Sequence, residues 1–198
     1  MQLNFIEMLA MNNPLRKGLL RHLEFRLFRQ LLADQQVDPS GKTLVDLACG
    51  SGYSSYFLAQ TYRPNRLVAC DVMPRQLELA RRYPTEALWV LADVHQLGLK
   101  PESFDFAFAF GLLHHLEDWR RAAAEIAGLL KPGGYLLIEE PNGTSAAFFR
   151  RVFGFGIPPE GAFNFDQLEA RFAEVGLKRL AWKKVLFPCF RAYILQKI

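Results

Sequence analysis

Short apolar segments alternate regularly with helical segments between residues 43 and 139, and this alternation constrains the fold more than any other feature. The predicted strands are Thr43–Leu47, Arg66–Cys70, Ala87–Ala92, Phe104–Phe110 and Tyr135–Glu139. The predicted helices between them are Tyr53–Tyr62, Pro74–Arg82 and Trp119–Leu130. Strands that are joined through helices run parallel, so the pattern predicts a parallel sheet with helices on both faces.

The two ends of the chain depart from this alternation. Upstream, Asn13 and Pro14 have the residue types of a helix start, and leucines recur at helical spacing from Leu15 to Leu31. The predicted N-terminal helix ends before the turn that contains Gly41.

Downstream, a helix is predicted over Asp166–Val175, followed by two β-like segments, Lys178–Phe187 and Cys189–Gln196. Only Pro188 separates the two segments, and so short a link fits an antiparallel pair.

Composition indicates one globular domain without a membrane span. The chain has 198 residues, of which 51% are hydrophobic and 22% charged. No apolar run approaches the roughly 18 residues that a membrane span requires. Glu7 and the lack of a basic leader argue against a signal peptide, and three separated cysteines do not suggest a disulfide framework or a metal site. We therefore expect a reduced, cytoplasmic protein with no metal site.

The net charge of +4 is spread unevenly. Residues 43–142 carry nine basic and twelve acidic side chains, whereas residues 143–198 carry nine basic and four acidic ones. Because the basic residues do not gather on one element, we expect no nucleic-acid partner. An anionic substrate remains compatible with the basic flanks.

A glycine loop follows the first predicted strand, in the sequence Val45-Asp46-Leu47-Ala48-Cys49-Gly50-Ser51-Gly52. Glycines at this position let the backbone approach a ligand, and the next helix offers free N–H groups. Asp71 lies 19 residues after Gly52, at the end of the second strand, and Asp93 ends the third. The carboxyl ends of neighbouring parallel strands meet at one edge, so these residues predict a nucleotide-type site there.

Other nucleotide motifs fit less well. Ser55 stands where a dinucleotide fingerprint has its third glycine or alanine. Gly41-Lys42-Thr43 imitates a phosphate loop, but Gln36 replaces its first glycine and no strand precedes it. Tyr193 and Lys197 have a dehydrogenase-like spacing but fall on a predicted strand, where a four-residue spacing has no helical meaning.

Several motifs occur together in a characteristic order. They are Asp46-x-Ala48-x-Gly50-x-Gly52, Asp71, Leu91-Ala92-Asp93-Val94, Phe104-Asp105, Leu113-His114-His115-Leu116 and Leu129-Leu130-Lys131-Pro132-Gly133-Gly134. From about residue 43 to 140 the chain thereby resembles the class I S-adenosylmethionine-dependent methyltransferases. It looks most like the small-molecule branch that includes quinone- and sterol-modifying enzymes. The resemblance implies a doubly wound α/β fold with a mostly parallel, Rossmann-like, seven-stranded sheet and an antiparallel C-terminal strand pair.

The resemblance also implies a cofactor, S-adenosyl-L-methionine, and residues that bind it. Asp46, Gly50 and Gly52 would face its methionine end, and Ala48 belongs to the same loop, although the family commonly has glycine there. Asp71 would hold the ribose hydroxyls, Val72 and Met73 would flank the adenine, and Asp93 and Val94 would contact the adenine amino group. Phe110 and Gly111 would approach the sulfonium.

On the acceptor side, His114 and His115 follow the fourth strand and are candidates for a base or an acceptor-orienting group. The alternative is that they form an ordinary junction between a loop and a helix. Glu139, Glu140 and Asn142 close the fifth strand at the same edge. We expect a solvated turn there, with binding of an acceptor or a metal as the alternative.

An aromatic-rich segment, residues 144–165, is expected to form either a wall of the acceptor site or part of the core. Its phenylalanines are Phe148, Phe149, Phe153, Phe155, Phe163 and Phe165. Arg150 and Arg151 lie among them and could pair with an anionic group of an acceptor.

We therefore predict a single methyltransferase domain over residues 1–198. It comprises an N-terminal helical cap (1–40), a cofactor-binding core (43–140), an acceptor-side loop (141–165) and a C-terminal helix with a strand pair (166–198). The acceptor is expected to be a small, apolar or amphipathic molecule, and a homodimer is compatible with the chain.

Two alternatives remain open at this stage. One is a non-catalytic, cofactor-binding subunit that activates or scaffolds a partner. The other is a nucleic-acid methyltransferase, although Phe110-Gly111-Leu112-Leu113 stands where enzymes that methylate base amino groups often have D/N-P-P-Y/F/W.

Overall fold

The computed structural model describes residue 18 and residues 23–143, 163–185 and 189–198. In these ranges the strands are β1 (Thr43–Leu47), β2 (Arg66–Asp71), β3 (Leu88–Leu91), β4 (Phe104–Phe110), β5 (Leu130–Pro141), β6 (Leu177–Lys184) and β7 (Phe190–Lys197). The helices are α1 (Phe25–Asp34), α2 (Tyr53–Tyr62), α3 (Pro74–Ala80), α4 (Trp119–Leu129) and α5 (Phe165–Glu174), with a 3-10 helix (Leu113–His115) after β4. Each strand and helix predicted between residues 43 and 139 is present, with shifted ends in several cases.

The strands form one seven-stranded sheet in the order β3-β2-β1-β4-β5-β7-β6. Strands β1 to β5 pair in parallel, whereas β7 is antiparallel to both β5 and β6. The predicted mostly parallel sheet with an antiparallel C-terminal pair is therefore confirmed. The chain leaves β1 towards β2 and β3 on one side and then returns to β4 on the other, which opens a crevice at the carboxyl ends of β1 and β4.

Helices cover both faces of the sheet. Because side chains alternate along a strand, Val45 and Leu47 of β1 face one side and Leu44 faces the other. The core on the first side includes buried residues of α4 and α5, and the core on the second side includes buried residues of α1, α2 and α3. This arrangement confirms the doubly wound fold.

The segment Lys131–Gly134, predicted as a turn before the fifth strand, lies inside β5. It forms an irregularity in the ladder with β4, because Phe104 pairs with Leu130 while Phe106 pairs with Tyr135. A bulge of this kind accommodates proline and glycine within a paired strand. The strand predicted from the sequence consequently began too late. It also ended too early, because Glu140 and Pro141 pair with β7.

Several predictions for the ends of the chain fall partly outside the described residues. Helix α1 confirms the later part of the predicted N-terminal helix, but its predicted start at Asn13 and Pro14 is not described. Phe163 and Phe165 are buried in the core, and the ring of Phe163 packs 4.8 Å from that of Trp119. The other predicted residues of this aromatic-rich segment lie outside the described ranges; they are Phe148, Phe149, Phe153, Phe155, Arg150 and Arg151. Among the described helices, none combines the length and the hydropathy that crossing a membrane would require.

Candidate functional site

Asp46 is fully buried in β1 and accepts hydrogen bonds from the first turn of α2. Its Oδ2 accepts from the hydroxyl groups of Ser54 at 2.6 Å and Ser55 at 2.5 Å. Burial raises the pKa of Asp46 to about 7; the two hydroxyl groups act against this rise, and the charge of Asp71 adds to it. The other carboxyl oxygen, Oδ1, is buried and has no hydrogen-bond partner among the described residues. Asp46 thus retains one acceptor for a donor that the described part of the chain does not supply.

The glycine loop after β1 is fastened to the end of β2. The backbone N–H of Cys49 donates to the carbonyl of Cys70 at 3.0 Å, and that of Gly50 donates to Oδ2 of Asp71 at 2.9 Å. Gly50 has a φ of +54°, and a Cβ added to it would meet no atom within 4 Å. The loop therefore exposes backbone to open space at this point. Ala48 adopts a φ of +52° and is exposed, at the position where glycine is common in the resembled family.

Asp71 is oriented by backbone groups on both sides. Its Oδ1 accepts from the N–H of Met73 at 2.8 Å, and its Oδ2 takes the bond from Gly50. Burial raises the pKa of Asp71, and the hydrogen bonds from Met73 and Gly50 oppose that rise. Val72, the next residue, is 44% exposed despite its apolar side chain. The residues assigned to the ribose and the adenine are therefore adjacent at the end of β2.

Asp93 lies after β3, next to the end of β2. The N–H of Ala92 donates to the carbonyl of Asp71 at 3.0 Å, which keeps the two strand ends together. Oδ1 of Asp93 accepts from the backbone N–H of His95 at 2.9 Å and lies 2.7 Å from Nδ1 of the same residue. The backbone hydrogen bond from His95 is the largest cause of the lowered pKa of Asp93, which keeps the carboxylate charged. Val94 packs partly against the core.

The end of β4 lies beneath α1. The ring of Phe110 packs 4.9 Å from that of Phe28 and 6.3 Å from that of Phe25. The N–H of Gly111 donates to the carbonyl of Glu139 at 3.1 Å, so the chain remains paired with β5 as it leaves the strand. The N-terminal helix consequently covers the part of the edge that was assigned to the sulfonium region.

His114 and His115 occupy the 3-10 helix, and their ring centroids are 3.9 Å apart. Nδ1 of His114 lies 2.7 Å from Oε2 of Glu140. Oε1 of Glu140 accepts from the N–H groups of Leu112 at 2.9 Å and Leu113 at 2.7 Å. Glu139 and Glu140 are both buried within β5, so the expectation that they belong to a solvated turn is wrong. The burial of Glu140 is compensated because several N–H groups of one loop point at its carboxylate.

The cofactor and catalytic candidates all lie on, or directly follow, the carboxyl ends of β1 to β4. They are Asp46, Ala48, Gly50, Gly52, Asp71, Val72, Met73, Asp93, Val94, Phe110, Gly111, His114 and His115.

Sequence reasoning missed the contacts of Ser54 and Ser55 with Asp46 and the burial of Glu140. Glu140 could have been noticed as an acid at the end of a buried strand, the placement that singled out Asp71. Within the described ranges no group of three or more His, Cys, Asp or Glu residues could hold a metal ion.

The strand order, the glycine loop and the acidic residues at successive strand ends are those of an open α/β fold, a class of fold that binds ligands at the switch point. Residues 45–138 match the family model described as "Methyltransferase domain". The chain therefore matches methyltransferases in sequence over this stretch, and it shares the fold of solved S-adenosylmethionine-dependent methyltransferases.

Several relatives of the chain are methyltransferases of different kinds. Trans-aconitate 2-methyltransferase of Pseudomonas aeruginosa PAO1 is 35% identical over 108 residues, which cover 54% of this chain but 38% of that protein. The O-methyltransferase rstn1 of Aspergillus nomiae is 28% identical over 187 residues, covering 88% of this chain and 80% of that protein. The chain thus spans less than half of the first relative and most of the second.

Solved structures show the same fold. The N-methyltransferase NodS of Bradyrhizobium japonicum, in complex with S-adenosyl-L-homocysteine, superposes with a TM-score of 0.69 at 22% identity. The match covers 94% of this chain and 89% of NodS.

Proposed function

We propose that the chain binds S-adenosyl-L-methionine at the carboxyl ends of β1 to β4 and transfers its methyl group to a small, apolar or amphipathic acceptor. The observation that carries this proposal is the bond from the N–H of Gly50 to Asp71, which joins the glycine loop to the acid at the end of β2. The orphaned Oδ1 of Asp46 and the open space beside Gly50 are what a ligand with a donor group and a close backbone approach requires.

Different described residues can contact different parts of the cofactor. Asp46 offers Oδ1 to the amino group of the methionine portion, and each oxygen of Asp71 has a second lone pair for a ribose hydroxyl. Val72 presents an exposed apolar surface to the adenine, and Asp93 presents a charged carboxylate to its amino group. In each assignment a carboxylate oxygen accepts from an amino or hydroxyl group of the cofactor, or an apolar side chain contacts its ring.

When bound, the cofactor supplies a methyl group that is activated by a positively charged sulfur. The chain then has to hold the acceptor in line, exclude water and receive a proton from acceptors that lose one. Correct positioning of two reactants contributes roughly 7–11 kcal/mol in well-oriented systems. His114 and His115 are the candidates for proton transfer, since they follow β4 at the same edge.

The aromatic surroundings of Phe110 support an apolar or amphipathic acceptor. Phe25 and Phe28 of α1 pack on Phe110 and line this end of the sheet with rings. The relatives include proteins named for O-methylation, N-methylation and methylation of trans-aconitate, and each of these names fits a small-molecule acceptor. A cytoplasmic location and a homodimer stay predictions.

Isothermal titration calorimetry with S-adenosyl-L-homocysteine tests the cofactor assignment, with NAD as the parallel ligand. We expect micromolar binding of S-adenosyl-L-homocysteine and no heat with NAD. Asp71→Ala should weaken this binding at least tenfold, because both the ribose contacts and the anchor of the loop are lost.

The matched control for that variant is Asp105→Ala. Asp105 is also a partly buried strand aspartate, but it lies at the start of β4, on the opposite edge of the sheet. Its substitution should leave the affinity within about twofold of wild type, since it touches no part of the site. Unchanged binding by Asp71→Ala would overturn the ribose assignment. Binding without turnover on any acceptor would favour a non-catalytic subunit.

A further inference from the structure

The carboxylate of Glu140 directs its hydrogen bonds with described residues at the segment that carries His114. Oε1 accepts from the N–H groups of Leu112 and Leu113, and Oε2 accepts from the N–H of His114 at 3.2 Å in addition to facing its ring. The carboxyl group thus meets three backbone donors and one ring nitrogen. An ionised carboxylate has only acceptors, which is what this set of neighbours requires.

The contact between Oε2 and the imidazole determines which ring nitrogen of His114 carries hydrogen. Since Oε2 accepts, Nδ1 must be the donor at 2.7 Å, and a neutral imidazole then has its lone pair on Nε2. Nε2 has no hydrogen-bond partner among the described residues, and the side chain retains 13% of its exposure. No described residue therefore occupies the unprotonated nitrogen.

The ring of His114 also lies close to the place assigned to the methyl group. Its Cε1 atom, which joins the two ring nitrogens, would lie 3.3 Å from a Cβ added to Gly111. Gly111 directly follows β4, the strand that neighbours β1 in the sheet. A base at this position would be next to the end of β4 and the crevice at the switch point.

We infer that Glu140 is a positioning residue, which holds His114 in the Nδ1–H tautomer so that Nε2 acts as the general base of methyl transfer. This inference rests on the proposed function. In the step, an oxygen or nitrogen of the acceptor bonds to the methyl carbon, the carbon–sulfur bond breaks, and its electron pair stays on sulfur. The proton of the acceptor moves to Nε2, and the imidazolium that forms is stabilised by the carboxylate of Glu140.

The tautomer defines a class of acceptor. A general base is useful only where the attacking atom carries a proton, as in a phenol, another hydroxyl compound or an amine. The carboxylates of a compound such as trans-aconitate are already ionised at neutral pH and need no base. The dyad therefore assigns O–H or N–H acceptors to this chain, in preference to carboxylates.

Nitrogen-15 NMR measures the tautomer directly, through long-range correlations between ring protons and ring nitrogens at pH 8. The chain has four histidines, so each signal can be assigned with single variants. In the wild type we expect His114 with hydrogen on Nδ1. A wild-type signal with hydrogen on Nε2 would overturn the inference whatever the variants do.

Glu140→Gln provides the decisive comparison. The Oε1 of glutamine can still accept from Leu112 and Leu113, which places its NH₂ group against Nδ1 of His114. That group donates, so the hydrogen should move to Nε2. The control Glu174→Gln changes the same residue type on α5, where Glu174 is 63% exposed and pairs with Arg171, and should leave the spectrum of His114 unchanged. An unchanged tautomer in Glu140→Gln would remove the positioning role.

A kinetic comparison tests the base with catechol, octylamine and trans-aconitate as acceptors. We expect turnover of catechol or octylamine, and a fall in kcat of about 100-fold or more in both Glu140→Gln and His114→Asn. The affinity for S-adenosyl-L-homocysteine should stay within about twofold. Turnover of trans-aconitate alone would contradict the inference. Failure of the wild type to bind S-adenosyl-L-homocysteine would instead contradict the proposed function, because the tautomer is measured without any ligand.

Discussion

At the scale of single residues, Gly50 and Gly52 have different reasons for being glycine. A Cβ on Gly52 would lie 2.7 Å from Cβ of Ala80 and 2.9 Å from the ring of Trp89, so the start of α2 packs directly on α3 and β3. Gly50 meets no atom within 4 Å at the corresponding position. Gly52 is thus required by the packing of the fold, whereas Gly50 borders the space that we assign to the cofactor.

Gly52→Ala should destabilise the protein by about 2–5 kcal/mol, because backbone strain of about 1–2 kcal/mol adds to overpacking of about 1–3 kcal/mol. Gly50→Ala should be destabilised by backbone strain alone, about 1–2 kcal/mol. It should nevertheless weaken the binding of S-adenosyl-L-homocysteine. Urea unfolding and calorimetry on both variants measure the two effects. Equal loss of stability in the two variants would contradict the close packing at Gly52 and the open space beside Gly50.

Asp46 should make stability depend on pH. Its pKa rises from 3.8 to about 7 on folding, so the unfolded chain releases this proton first as the pH increases. The contribution of Asp46 to stability is therefore fully present below about pH 4. It decreases between pH 4 and pH 7 and is lost above about pH 7. Asp46→Asn has no proton to release and should lack this decrease.

The measurement is the free energy of unfolding in urea at pH 4.5 and pH 8 for both proteins. The loss between these two pH values should be larger in the wild type by a few kcal/mol, since each pKa unit corresponds to about 1.4 kcal/mol. Titrating groups remote from Asp46 are common to both proteins and cancel in the comparison. Parallel pH dependences would mean that Asp46 is not shifted.

At the scale of elements, Asp105 joins three strands at the amino edge of the sheet. Its Oδ2 accepts from the N–H of Thr43 at 2.9 Å, and its Oδ1 accepts from Nζ of Lys131 at 2.7 Å. Burial alone would raise the pKa of Asp105, but Lys131 and Thr43 together lower it below its usual value. The carboxylate therefore fastens β1 and the bulge of β5 to the start of β4.

Asp105→Ala should destabilise the protein by about 1–3 kcal/mol at pH 7, because the N–H of Thr43 loses its partner. Because the native pKa is lowered, the contribution of the carboxylate is present above about pH 4 and is lost as the pH falls further. The free energy of unfolding in urea, measured at pH 7 and pH 3 for both proteins, tests the loss of stability and its pH dependence. A variant as stable as the wild type at pH 7 would show that the bulge is held by backbone pairing alone.

At the scale of the whole molecule, cofactor binding should stabilise the fold. A ligand at 100 times its dissociation constant adds about 2.7 kcal/mol. For a protein of this size, each kcal/mol raises the melting temperature by about 2–4 °C, so S-adenosyl-L-homocysteine should raise it by about 5–10 °C. NAD should produce no shift, and Asp71→Ala should lose the shift. An unchanged melting temperature with S-adenosyl-L-homocysteine would contradict binding to the folded state.

Much of the fold was predictable because its signals are local in the sequence. Helix α2 and strands β1 and β4 begin and end at the predicted residues, since apolar runs bounded by glycine and proline determine them. β5 was predicted too short because the residues Lys131–Gly134 have the local composition of a turn. Pairing with β4 keeps that segment in the strand, and pairing is not a local property.

The sequence alone determined the strand and helix alternation, the glycine loop and the acids at the strand ends, because each is specified by neighbouring residues. Only the tertiary structure decided what Glu140 does. Its partners lie 26–28 residues earlier in the chain and meet it only when β5 pairs with β4. The buried interior then leaves the carboxylate no water to contact, so it binds the N–H groups of the loop and fixes the ring of His114.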